Sequence, residues 1–299
     1  MTHFNIIKQF LILLILIYIF FYYYRIHMKE PLIQAKAAIL MDAESGEIIY
    51  KKNEALPLAP ASIAKMMTMY IVLEQIENGS LNWNDSVTIS SNAVNSEGVK
   101  INVHVGDHFT VRELFHAMVI SSANNAAVAL AEHISKSEKN FTQLMNEKAN
   151  QIQLSNHTHF VNATGLANEK NEESHMSALD VAKLAQHLLR KHPNILEVTP
   201  LTSFNLCGTT LKTTNKMLYP SNRKLYFQGV DGLKTGFTDK AGYNFTGTAK
   251  QDGRRVISVV MGANSDDKRF IETKKLLSYG FHQSNIPFFE SIKSTLQLQ

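Results

Sequence analysis

Strand-like segments stand towards both ends of this 299-residue chain, and helical ones fill the stretch between them. That order limits the fold more than any other feature. Early strands whose only distant partners lie near the other end must join them in one sheet, with the helical middle as an insertion. Near the start, "AAILMDAESGEIIYKKN" reads as a hairpin: an apolar run to Met41, a turn at Glu44-Ser45-Gly46, and a return from Glu47 to Tyr50. Late in the chain come "GLKTGFT", "GYNFTGTAKQDG" and "RRVISVVMGAN", the last two joined by an Asp252-Gly253 turn. A helix, "DKRFIETKKLLSYGF", follows them. The expectation is an α/β chain of the α+β kind, an antiparallel sheet flanked by helices with a helical subdomain.

In the middle, Met66, Met67, Tyr70, Ile71, Leu73 and Ile76 recur at helical spacing, which predicts a helix over Ala61 to Glu77 ended by Gly79. Further helices are expected from about Val111 to Ile120 and from Ala126 to Ile134, with a break between them. Ser177 stands as an N-cap with Asp180 three residues on, ahead of "ALDVAKLAQHLLR". "SFNLCGTTLKTTNKML" alternates like strands around Gly208.

The uncharged run "FLILLILIYIFFYYY", Phe10 to Tyr24, is followed at once by Arg25 and belongs in a membrane or a translocon. Ala35-Lys36-Ala37 fits a small-x-small cleavage site but lies about ten residues beyond the run, so residues 1–29 are expected to be an uncleaved anchor. Cleavage there would instead release the protein. Residues 30–283 would form one catalytic domain and 284–299 a tail. Cys207 is the single cysteine, so an exported form could not rely on an internal disulfide. A formal charge of +4, evenly spread, gives no argument for nucleic acid. None of the twelve histidines forms an H-E-x-x-H pair, and His157 and His159 read as strand or loop alternation, so no metal or other cofactor is expected.

Three short motifs carry the chemistry. Ser62-Ile63-Ala64-Lys65 opens the first long helix, Ser122-Ala123-Asn124 falls in the helical break, and Lys234-Thr235-Gly236 lies on a late strand. Singly they are weak. S-x-x-K recurs at Ser221 and Ser265, and S-x-N at Ser90 and Ser203 among other places; only K-T-G occurs once. Taken alone, Ser62 could be a first-turn polar residue, and Lys65, Lys234 and Arg269 solvated cations.

Their order removes that ambiguity. "PASIAKMMT", "SSANNAAVALAE", "THFVNATGL", "DGLKTGFTDKAGYNF" and "TKKLLSYGF" resemble, in order and spacing, segments of the low-molecular-mass D-alanyl-D-alanine carboxypeptidases, penicillin-binding serine peptidases. The resemblance runs from about Ala37 to Phe281. It implies the β-lactamase/DD-peptidase fold and removal of the terminal D-alanine from peptidoglycan stem pentapeptides through an acyl-enzyme. It also implies β-lactams as acylating inhibitors and a site on the outer side of a bacterial cytoplasmic membrane.

The roles follow from chemistry and from that resemblance. A serine hydroxyl needs a base, and residues three apart on a helix share a face, so Lys65 would serve Ser62. Lys65 must then be neutral part of the time, and burial together with the charge of Lys234 would make it so. Lys234 could also hold an anionic substrate end. Ser122 would relay the proton towards the leaving amine, and Asn124 would offer its amide to the substrate backbone. The resemblance adds an oxyanion hole from the N–H groups of Ser62 and Phe237, substrate binding by Thr235, and an arginine, Arg269, that helps hold the terminal carboxylate.

Two positions depart from the family pattern: Asn125 replaces a common aspartate, and Ala123 a common glycine. Many relatives also add a carboxy-terminal β-rich domain and an amphipathic helix that this chain stops short of, which would leave anchoring to the amino-terminal segment. Three other readings share the motifs: a class A-like β-lactamase, a non-catalytic penicillin sensor and a DD-endopeptidase. The first needs a deacylating glutamate, and Glu169, Glu172 and Glu173 lack its Leu-Asn context.

Overall fold

The computed structural model describes residues 2–27 and 30–284. The expected tail beyond Ser284 therefore lies outside the described residues. Helix α1 (Thr2–His27) takes in the apolar run, and its side chains from Phe10 to Ile19 are exposed. Among the described residues no helix is long and apolar enough to cross a membrane.

Strands β1 (Ala37–Asp42) and β2 (Ile48–Lys52) form the early hairpin. Its turn is built by Asp42, whose Oδ1 accepts from the Glu44 and Ser45 N–H groups at 3.1 and 3.0 Å. A four-residue 3₁₀ turn, Ala61–Ala64, leads into α2 (Lys65–Glu77). The middle of the chain holds β3 (Ser86–Thr88), α3 (Ser91–Asn95), β4 (His108–Thr110), α4 (Val111–Ile120), α5 (Asn124–Ser135), α6 (Glu138–Gln151) and α7 (Ala178–Lys191). A small hairpin of β5 (Ser203–Leu206) and β6 (Thr209–Lys212) follows, turning at Cys207-Gly208. Then come β7 (Val230–Thr238), β8 (Gly242–Gln251), β9 (Arg254–Ala263) and α8 (Asp266–Ser284).

The main sheet is antiparallel with strand order β2-β1-β9-β8-β7, so strands from both ends of the chain do meet, at the β1–β9 pairing. Alternation along the strands sorts the two faces. Ile39, Met41, Ile257, Val259 and Met261 join the larger core with α2, α4, α5 and α7. Ala38, Leu40, Phe245, Val256 and Val260 pack with Phe270, Leu276 and Leu277 of α8. The edge strand β7 carries the K-T-G motif beside the helical part of the molecule.

Several elements differ from expectation, among them the short β3, α3 and β4, which have no expected counterpart. The first turn of the long helix is 3₁₀ rather than α, with Ala61 at φ +49° and the backbone of Gly165 packed against the Ala61 carbonyl. Helix α6 has no counterpart among the expected elements, although Ser137 caps it by accepting from Asn140 N–H, and Phe141, Met145 and Ala149 form its buried stripe. The expected N-cap at Ser177 is present: its Oγ accepts from Asp180 N–H at 3.0 Å.

Candidate active site

In a 3₁₀ turn residues i and i+3 eclipse one another. Ser62 and Lys65 stand in that relation, and Lys65 Nζ lies 2.9 Å from Ser62 Oγ. Lys65 also donates to the Thr164 carbonyl at 2.7 Å, and its side chain is fully buried. Burial, followed by the nearby charge of Lys234, holds its amine well below the usual lysine range, while Glu138 acts in the opposite sense. Burial thus leads, with the cationic neighbour second.

Ser122 sits in the break between α4 and α5 at φ +66°, in the left-handed region that a non-glycine residue occupies only under constraint. There its hydroxyl accepts from Lys234 Nζ at 2.8 Å. Lys234 donates as well to the Thr235 carbonyl at 3.0 Å and is also buried. Burial and the charge of Arg269 bring it down to about 7. Two lysines and two serines, contributed by α2, the 3₁₀ turn, the α4–α5 break and β7, are thereby gathered into two hydrogen-bonded pairs.

Asn124 is buried at the start of α5. Its Nδ2 donates to the Glu97 carbonyl at 2.6 Å and its N–H to the Val99 carbonyl at 2.7 Å. That leaves Oδ1 as a buried acceptor without a partner. The carbonyl half of the amide is therefore the half free to meet a ligand.

Gly236 is required by close approach. A Cβ there would stand 2.6 Å from the Pro60 carbonyl oxygen and 3.1 Å from the Ser62 N. Without one, β7 lies directly against the 3₁₀ turn, and the following residue, Phe237, stacks its half-exposed ring on Tyr243 at 4.2 Å. Arg269 of α8 grips the same strand: Nη1 donates to the Gly236 carbonyl at 3.1 Å and the Asn244 carbonyl at 3.4 Å, Nη2 pairs with Asp266, and the guanidinium lies 5.5 Å from the Tyr243 ring centroid.

Sequence reasoning gave no role to several residues that shape this site. Asn244 straps the Ser62 turn to the sheet, donating from Nδ2 to the Ala59 and Pro60 carbonyls at 3.0 and 3.1 Å while Oδ1 accepts from Gly262 N–H at 2.7 Å. It sits at a register irregularity of the β8–β9 ladder, which frees its side chain for that task and which alternation cannot forecast. Thr214 accepts from Thr235 Oγ1 at 2.7 Å. Thr164 and Gly165 form the far wall, the first through Lys65 and the second against Ala61. They lie inside "THFVNATGL", a segment matched for its resemblance but given no task. Among the described residues there is no group of three or more His, Cys, Asp or Glu that could hold a metal ion.

Residues 25–265 match the family model described as D-alanyl-D-alanine carboxypeptidase. The chain is 38% identical over 252 residues to D-alanyl-D-alanine carboxypeptidase DacF of Bacillus subtilis, covering 84% of this chain and 63% of that protein. It is 34% identical over 268 residues to DacA of Escherichia coli, covering 88% and 63%. Among solved structures, penicillin-binding protein D2 of Listeria monocytogenes in the ampicillin-bound form superposes with a TM-score of 0.73 at 34% identity, covering 85% of this chain and 99% of that one. A peptidoglycan synthesis regulatory factor (PBP3) of Streptococcus pneumoniae gives 0.79 at 40% identity, covering 83% and 74%. The chain spans 63–64% of the length of the first curated relatives it matches.

Proposed function

Because the chain belongs to the D-alanyl-D-alanine carboxypeptidase family, we propose that it is a serine-type carboxypeptidase that removes the terminal D-alanine of peptidoglycan stem pentapeptides, and that β-lactams acylate it. The observation that carries this reading is the 2.9 Å contact between Ser62 Oγ and a buried Lys65 amine whose proton is disfavoured.

Ser62 Oγ attacks the carbonyl of the penultimate residue and its proton passes to Lys65 Nζ. The oxyanion lies between the N–H groups of Ser62 and Phe237, which Gly236 allows to approach. Ser122 relays a proton to the departing D-alanine nitrogen, with Lys234 hydrogen-bonded behind it. Water then cleaves the acyl-enzyme, regenerating Ser62. Asn124 Oδ1 accepts from the peptide backbone. Thr235 and the cations Lys234 and Arg269 meet the terminal carboxylate, Arg269 also steadying β7 through Gly236.

Residues 30–283 form the catalytic unit in this reading. The exposed apolar side chains of α1 support its use as a membrane anchor, with the site on the outer side. The carboxylates that a β-lactamase would need are engaged elsewhere, Glu173 with Lys240 at 2.8 Å and Glu172 with Asn168 at 2.8 Å.

Incubation with a pentapeptide ending in D-Ala-D-Ala, read by mass, tests the proposal. Release of one D-alanine is expected, together with slow loss of bound penicillin. Ser62→Ala should abolish covalent labelling by a fluorescent penicillin, and Lys65→Ala should nearly do so. Rapid turnover of a cephalosporin would favour the lactamase, cleavage of a cross-linked dimer the endopeptidase, and labelling with no peptide product the sensor. Labelling of Ser62→Ala at the wild-type rate would mean another nucleophile.

A further inference from the structure

Glu138 is the first residue of α6, where an acid can simply complement the helix dipole. Here its carboxylate has more specific partners. Oε1 accepts from the Ala163 N–H at 3.1 Å, and Oε2 accepts from Asn92 Nδ2 at 3.3 Å. The loop it holds is the one that seats α2. The Ala163 carbonyl accepts from Thr68 Oγ1 at 3.0 Å, the Thr164 carbonyl accepts from Lys65 Nζ at 2.7 Å, and Gly165 lies against the Ala61 backbone, so close that a Cβ would come within 2.0 Å of the Ala61 oxygen. Three consecutive residues thus connect Glu138 to Lys65 and to the turn that carries Ser62.

From this geometry we infer that Glu138 is a positioning residue for the Ser62–Lys65 pair, fixing the Ala163–Gly165 backbone with one oxygen and setting the charge around the Lys65 amine with its carboxylate. The inference rests on the carboxypeptidase reading above. The charged groups around Glu138 and Lys65 come from four elements: Glu132 of α5, which shares the Asn92 amide at 3.0 Å; Lys139 of α6, which is exposed; Lys65 of α2; and Lys234 of β7. Lys234 disfavours the Lys65 ammonium and Glu138 favours it, so the two set opposite pulls on one proton.

The sign follows. Lys65 accepts the Ser62 proton only when neutral, so the acid limb of the acylation profile reports its loss of a proton. Removing the anion makes the ammonium less favourable, and the limb moves to lower pH. Glu138→Gln keeps an oxygen for the Ala163 N–H but loses the charge, whereas Glu138→Ala loses both.

The experiment is the rate of acylation by a fluorescent penicillin across pH, with the thermal midpoint of each variant measured alongside. For Glu138→Gln the acid limb should move down by about half a pH unit or more, with the plateau held within about threefold. For Glu138→Ala the plateau itself should fall by about tenfold or more as the loop loses its anchor. Glu132→Gln, which touches neither the loop nor Lys65, should leave the limb in place. An unmoved limb in Glu138→Gln overturns the inference, as do equal plateaus for the glutamine and alanine variants. If Glu138→Ala does not fold, the limb of Glu138→Gln decides. Failure of the wild-type protein to become labelled at all would instead overturn the functional reading.

Discussion

Asn125 accepts from the Ile101 N–H at 3.1 Å through Oδ1 and donates from Nδ2 to the Ile101 carbonyl at 2.8 Å, closing a ring with one residue's backbone. Both groups are buried, so each bond replaces water that cannot reach. An aspartate here would keep the first bond and set an oxygen against a carbonyl at the second. Asn125→Asp is therefore expected to destabilise the protein by about 1–3 kcal/mol at neutral pH, loosening the segment whose Val99 carbonyl receives the Asn124 N–H. Chemical denaturation measures this, and an unchanged midpoint would show that the ring contributes nothing. Motif order and the family resemblance singled out Ser62, Lys65, Ser122, Asn124 and Lys234, whose functional groups suit a nucleophile, a base, a relay and substrate binding. It could not single out Asn244 or Thr214, whose side chains act only through neighbours brought from far along the chain.

At the scale of elements, the contact between β7 and the 3₁₀ turn is the one on which the geometry depends, and it has no room for a side chain at Gly236. Gly236→Ala should push the strand off the turn and lower acylation by about a hundredfold. The fold should survive, since the rest of the β7–β8 ladder is independent of that point. Acylation within about twofold of wild type would mean that the strand position tolerates the shift. The same contact explains what the sequence hid. Helical spacing marked α2, cap and break signals marked α4, α5 and α7, and apolar runs bounded by turns marked the five strands of the sheet, each leaving a local trace in the sequence. The 3₁₀ start of the long helix leaves no such trace; it lies against Gly165, a residue about a hundred positions away in the chain. Helix α6 did leave one, in Ser137 followed by Phe141, Met145 and Ala149, and it passed unread because polar residues dominate the segment.

For the whole molecule, the two buried lysines oppose the fold. Lys234 titrates at about 7 in the folded protein and at 10.5 when unperturbed, so between those values the unfolded chain holds more protons and stability rises with pH. Lys65 adds a contribution of the same sign. Tyr50 and Tyr70, whose hydroxyls are pushed above 10.0 mainly by burial, reverse the trend once unfolded tyrosines begin to ionise. The thermal midpoint should therefore climb from about pH 7 to about pH 9. Lys234→Met should melt higher than wild type at pH 7, climb less steeply, and lose acylation, as expected when a functional group is kept at the expense of stability. Parallel climbs for the two proteins would rule out this assignment. The pairing of β1 with β9 joins Ala37 to Met261 and Asp42 to Val256. A seam spanning about 220 residues cannot zip until β9 has been made, so the amino-terminal hairpin must wait, unsheltered, for most of synthesis, and closure of the sheet is expected to come late.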